Sequence, residues 1–133
     1  NLGSADKLLE MSLDYAHMRI QFGKPIFEQQ IIQHYLAEMA TEIEALRAFT
    51  YHVANLVDQG KNVVKEAAMV KLLGSETYNR VADKAVQIHG GMGYISEYPI
   101  ERYYRDARIT RIYEGTSEIQ KNIIAAQLHR KYQ

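Results

Sequence analysis

The sequence predicts an all-α protein, an antiparallel four-helix bundle. Three observations carry that prediction. Four long stretches repeat apolar residues at close to the 3.6-residue helical period, glycines and prolines punctuate the short segments between them, and no convincing strand or internal repeat interrupts the pattern. At 133 residues the chain fits one domain, large enough to bury roughly two thirds of its extended surface.

The first helix is expected over Leu2 to Ile20, where Leu2, Ala5, Leu8, Leu9, Leu13, Ala16 and Ile20 share one face. Phe22, Gly23, Lys24 and Pro25 end it, Gly23 serving as C-cap and Pro25 barring another turn. The second runs from about Glu28 to Val57 through Ile31, Leu36, Met39, Ile43, Leu46 and Val53, and closes at Gly60. The third spans about Val63 to His89 and stops at Gly90 and Gly91; Gly74 inside it marks a close helix contact. GGMGYISEYP then reads as a turn-rich connection, with Pro99 in the first turn of a short helix through about Arg108. The fourth long helix is expected from Ser117 to about Lys131, with Ile119, Ile123, Ile124 and Leu128 on one face. Ser117 and Gln120 supply a Ser-x-x-Gln capping box at its start.

Composition excludes several classes of function. Lys plus Arg balance Asp plus Glu at 16 each, and a dedicated nucleic-acid binder needs a surplus of cations. The absence of cysteine removes disulfides, thiolate metal sites and cysteine nucleophiles. A di-iron bundle wants two Glu-x-x-His pairs on facing helices; the chain offers only Asp14-x-x-His17, once, so no metal site is expected. No apolar run approaches the ~20 residues that span a bilayer, and NLGSADKLLEM is not a signal peptide. The expectation is a soluble chain cut from a longer polypeptide, since it starts without methionine and already in helical pattern.

Three stretches carry candidate chemistry. In RIYEGTSEIQ, Arg111 to Gln120, Glu114 stands just before a helix whose first N–H groups lack intrahelical partners and favour anions or a developing oxyanion. Glu114 is either an exposed loop glutamate or a base whose proton affinity rises when an apolar ligand desolvates it. In QIHGGMGY, Gln87 to Tyr94, the glycines end a helix, whereas the dinucleotide fingerprint opens one after a strand. They are a helix C-cap and turn, or bare backbone against which a cofactor or another subunit lies; His89 reads as structural. At the end of the first helix, Arg19 either complements the helix dipole or grips a phosphate while Phe22 offers a ring face. Arg102, Arg105, Arg108 and Arg111, interleaved with Glu101 and Asp106, read as a solvated, ion-paired face.

Taken in order, a run like RxxFGKP from Arg19 to Pro25, a long helix, then QIHGGMGY, EYPIERYYRDARI and IYEGTSEIQ resemble the C-terminal domain of the acyl-CoA dehydrogenases across essentially the whole chain. The resemblance implies an N-terminal helical domain and a middle β domain that lie outside this chain. It implies an FAD-dependent α,β-desaturation of acyl-CoA thioesters, with Glu114 as the base that takes the α-proton while hydride leaves the β-carbon for the flavin. By the same matching, Arg19, Phe22, Gln30, Gln87, Gly90 and Gly91 contact FAD from a neighbouring subunit, so a homodimer or homotetramer is implied. Thr116 and Glu118 match contacts to the flavin of their own subunit, Tyr113 a wall of the acyl pocket, and Gly115 the room left for the thioester. An electron-transfer flavoprotein is the implied electron acceptor, and the compartment is the cytoplasm of a prokaryote or the mitochondrial matrix of a eukaryote. Lys121 stands where many members carry arginine. Some relatives place the base upstream of Asn1, and Glu114 argues against that branch. The alternative is a non-catalytic helical folding and oligomerisation module, inactive as an isolated fragment.

Overall fold

The computed structural model describes residues 1–130, and the helical prediction holds: α1 (Leu2–Met18), α2 (Gln30–Asp58), α3 (Val64–His89) and α6 (Ser117–His129) are the four long helices. Two shorter ones, α4 (Gly91–Tyr94) and α5 (Ile100–Ile109), lie between α3 and α6. The expected end of the last helix at Lys131 lies outside the described residues. Helix α3 is the axis of the packing, touching α1, α2, α5 and α6. Its buried face runs through Ala68, Gly74, Ser75, Thr77, Val81, Ala82 and Ala85, small or short side chains that let its neighbours approach. Leu8 of α1 and Met39, Ile43 and Leu46 of α2 fill the space around it, each worth about 1.5–3 kcal/mol on burial. At Gly74 an added Cβ would sit 3.6 Å from Leu46 Cδ1 and 3.5 Å from Asn1 Nδ2, so the expected close contact exists at ordinary van der Waals spacing.

The helix ends follow local chemistry. After α2, Gly60 takes φ +69°, its N–H bonds Val57 O, and Lys61 N–H bonds Leu56 O, a Schellman closure. The first helix stops two residues earlier than expected, because the following segment forms a miniature antiparallel pair that the sequence reading did not foresee. Strands β1 (Ile20–Gln21) and β2 (Lys24–Pro25) register Ile20 with Pro25 and Gln21 with Lys24. Phe22 and Gly23 form the turn with φ +52° and +79°, the doubly left-handed geometry that matches the twist of a tight hairpin. Gly23 is therefore a hairpin residue, and Phe22 is left 90% exposed at the tip.

One further expectation needs correction. GGMGYISEYP is not all turn, since Gly91–Tyr94 makes one helical turn. A Cβ on Gly93 would stand 2.9 Å from both Val86 O and His89 Cβ, and only glycine lets that turn nest against α3. The apolar face of α6 is not buried within the chain: Ile119 and Leu128 are 49% and 44% exposed. Helix α6 packs chiefly on α3, and one main neighbour covers only part of its stripe. Among the described residues, no helix is long and apolar enough to cross a membrane.

Candidate active site

The residues between α5 and α6 turn the chain sharply, and their geometry is set from two other helices. Glu114 adopts φ +54°, a left-handed backbone that costs an ordinary side chain about 1–2 kcal/mol, and Gly115 follows at φ +90°. Side chains hold this bend. Lys71 of α3 donates from Nζ to Thr110 O at 3.0 Å and to Gly115 O at 2.6 Å, and Gln120 of α6 donates from Nε2 to Glu114 O at 3.1 Å. Ser117 N–H bonds Arg111 O at 3.1 Å. Glu76 of α3 accepts from both Ser117 Oγ, at 2.7 Å, and Arg111 Nε, at 3.0 Å. Asn79 Nδ2 donates to Ala107 O at 2.7 Å and lies 3.3 Å from Thr110 Oγ1, which anchors the start of the loop.

This network corrects the expected capping box. Thr116, with extended φ −62° and ψ 163°, is the N-cap and its hydroxyl accepts from Ile119 N–H at 3.3 Å. Ser117 is the first helical residue and is turned inward to Glu76, while the Gln120 amide reaches past the cap to Glu114 O. Glu118 lies exposed in the first turn, and its carboxyl is held below the usual carboxylate range, first by its own backbone N–H and then by the Thr116 hydroxyl. The Glu114 side chain is exposed, and its backbone N–H has no hydrogen-bond partner among the described residues. Tyr113, half exposed, lines a hollow of about 430 Å³ with Tyr78, Tyr103 and Thr110. Arg111 pairs across to α3 and Arg105 pairs with Glu101, so the arginine stripe is only partly the self-contained ionic face expected.

A second group of sequence-predicted residues gathers elsewhere. Arg19, Gly90 and Gly91 line one open hollow of about 370 Å³ together with Gln21, His89 and Met92. Gly90 terminates α3 at φ +58° and ψ −137°, and an added Cβ at Gly90 or Gly91 would meet nothing within 4 Å. The guanidinium of Arg19 is exposed and makes no hydrogen bond or ion pair among the described residues. His89 is the structural residue expected: it is buried, its Nδ1 lies 2.8 Å from Ala85 O, and its ring stacks on Tyr15 at 4.3 Å. Burial pushes its pKa down, with the Ala85 carbonyl opposing weakly. Phe22, Gln30 and Gln87 are exposed outside this hollow. An arginine unpaired among the described residues, beside bare, accessible backbone, suits the phosphates of a dinucleotide, so Arg19, Gly90 and Gly91 have chemistry that fits the expected FAD.

Residues 1–129 match the family model described as acyl-CoA dehydrogenase, C-terminal domain. The chain belongs to this family. It is 52% identical over 130 residues to the acryloyl-CoA reductase (NADH) of Anaerotignum propionicum, a match covering 98% of the chain and 33% of the relative. It is 50% identical over 131 residues to the human mitochondrial short-chain specific acyl-CoA dehydrogenase, covering 98% of the chain and 32% of that protein. Among solved structures, butyryl-CoA dehydrogenase from Megasphaera elsdenii superposes with a TM-score of 0.93 at 43% identity, over 96% of this chain and 33% of that one. The acyl-CoA dehydrogenase domain described here thus spans about a third of the length of these relatives, and the family expected from the motifs is the family found.

The sequence reading missed Lys71, Glu76 and Asn79, and misassigned the partner of Gln120. One signal was present. Lys71, Ser75 and Asn79 recur every four residues on α3, with Glu76 beside them, a polar row running along a helix that must bury its face. Their partners lie 28 to 44 residues away, beyond what helical periodicity can connect.

Proposed function

We propose that this chain is the base-bearing, cofactor-contacting domain of an FAD-dependent acyl-CoA dehydrogenase. The single observation that carries the reading is Glu114, a non-glycine residue held in left-handed backbone by side chains of α3 and α6, in a chain belonging to this family. The proposed reaction is α,β-desaturation of an acyl-CoA thioester. Glu114 takes the proton α to the carbonyl. An α-proton is far too weakly acidic for a carboxylate in water, so the site must stabilise the negative charge that develops on the thioester oxygen. The Glu114 backbone N–H, without a hydrogen-bond partner among the described residues, is the proposed donor from this chain. An apolar acyl chain along Tyr113 desolvates the Glu114 carboxylate and strengthens it as a base, against the opposite pull of the α6 N-terminus. Gly115 has no side chain to crowd the thioester.

FAD, when bound, supplies the acceptor for the hydride that leaves the β-carbon. Arg19, Phe22, Gln30, Gln87, Gly90 and Gly91 are proposed to hold it from one subunit, and Thr116 and Glu118 from another. That division makes the active assembly a homodimer or homotetramer. The proposed electron acceptor is an electron-transfer flavoprotein, and the proposed compartment is prokaryotic cytoplasm or mitochondrial matrix. The exposed apolar residues of α6 favour a second role that coexists with the first, in which this domain is the assembly module of the longer enzyme.

The test is Glu114→Gln in the full-length protein, assayed by anaerobic bleaching of the flavin band on adding butyryl-CoA. Loss of turnover by several orders of magnitude with flavin retained is expected, because the amide keeps the shape and loses the base. Substantial turnover in that variant would refute the assignment, whereas acyl-CoA oxidation by the isolated chain would overturn only the expectation that this domain is inactive by itself.

A further inference from the structure

We propose that Lys71 and Gln120 form a two-helix clamp that sets the direction of Glu114, which makes both of them positioning residues for proton removal; the inference rests on the reading of Glu114 as the base. The seven residues from Thr110 to Thr116 join α5 to α6, and the Lys71 ammonium bonds a carbonyl near each end, Thr110 O and Gly115 O. Its 2.6 Å contact to Gly115 O is a short, charge-assisted bond, and its charge complements the carbonyl end of α5. Gln120 holds the intervening carbonyl, that of Glu114, from the other side. Two successive carbonyls, Glu114 O and Gly115 O, are thus fixed by side chains of different helices. Fixing those oxygens fixes the planes of the peptide groups that follow Glu114. A left-handed glutamate persists only where its surroundings over-determine it, and these two side chains supply that constraint.

The same bonds fix what Glu114 can reach. Its carboxylate departs from a Cα whose following peptide planes are pinned by the clamp, so releasing either carbonyl lets the loop relax toward ordinary backbone and swings the carboxylate away. Neither Lys71 nor Gln120 contributes a proton or needs to touch substrate. Their removal should therefore slow the chemical step and leave substrate affinity nearly intact.

The experiment uses the full-length, FAD-loaded protein with butyryl-CoA and its α-deuterated form. Lys71→Met and Gln120→Met each delete the donors and keep an unbranched stem. Each is expected to lower kcat about 10–100-fold, the scale on which misplacement of a reacting group acts, with KM changed less than about threefold. The primary isotope effect on kcat should rise as proton removal becomes slower. Lys7→Met, which cuts an exposed pair with Glu10, is the control and should match the parent. Flavin content is read from absorbance, so cofactor loss is separated from mispositioning. If one variant does not fold, the other decides. Should Glu114→Gln be inactive while the folded variants keep kcat within about twofold of the parent, the clamp is overturned alone. Should Glu114→Gln stay active, the base assignment falls and takes this inference with it.

Discussion

Replacing Gly115 with alanine tests the geometry of the active-site bend directly. Two costs can be worked from the structure. At φ +90° a Cβ meets its own backbone, a penalty of about 1–2 kcal/mol for any residue other than glycine. The same Cβ would stand 2.7 Å from Gln120 Nε2, too close for real atoms, so the amide must swing aside. Swinging breaks its bond to Glu114 O, a further loss of about 0.5–1.5 kcal/mol. The sum is about 1.5–3.5 kcal/mol. With a urea m-value of about 2 kcal/mol/M, the midpoint of a denaturation curve followed by far-ultraviolet circular dichroism should fall by about 0.8–1.8 M. Gln120→Ala removes the atom that is struck, so in that background Gly115→Ala should cost only the backbone portion. A Gly115→Ala chain within about 0.5 kcal/mol of the parent would refute the left-handed bend. Equal losses in the two backgrounds would instead refute the contact with Gln120.

Glycines elsewhere should separate packing from binding. Gly93→Ala drives a Cβ against the immovable Val86 O and should destabilise the chain by about 1–3 kcal/mol in the same denaturation assay. Gly91→Ala meets nothing within 4 Å and should leave stability within about 0.5 kcal/mol, yet in the full-length protein it should lower the flavin retained after gel filtration. His89 gives a pH dependence of definite sign. Its folded pKa lies below the ordinary value of about 6.5, chiefly through burial, so the unfolded chain binds the extra proton first. Its contribution is complete above that unfolded value and is lost as pH falls from there toward the folded pKa. His89→Phe should flatten that part of the stability profile, measured as denaturation midpoint against pH.

Much of the fold was legible because long amphipathic helices announce themselves by period. The faces built on Leu8, Met39, Ile43, Leu46 and Val81 lie where the apolar repeat puts them, and Gly60 and Gly90 stop helices as glycines with positive φ do. The errors cluster where local choices compete. Phe22 and Gly23 carry no signal that separates a helix C-cap from a two-residue hairpin turn, and pairing of Ile20 and Gln21 with Lys24 and Pro25 decided for the hairpin. Thr116 and Ser117 are both good caps. Glu76 decided between them by drawing Ser117 inward.

The sequence by itself determined the helical class, the helix that follows Glu114, the family and the order of its motifs, because periodicity, capping residues and short motifs act over a few neighbouring residues. Only the tertiary structure decided how Glu114 is held. The left-handed bend, the Lys71 bridge from Thr110 to Gly115 and the Gln120 bond to Glu114 depend on three helices meeting, with Lys71 drawn from 39 and 44 residues away in the chain. Hydrogen bonds across such separations follow from the packing of α3 against α5 and α6, and no local pattern encodes where those helices cross.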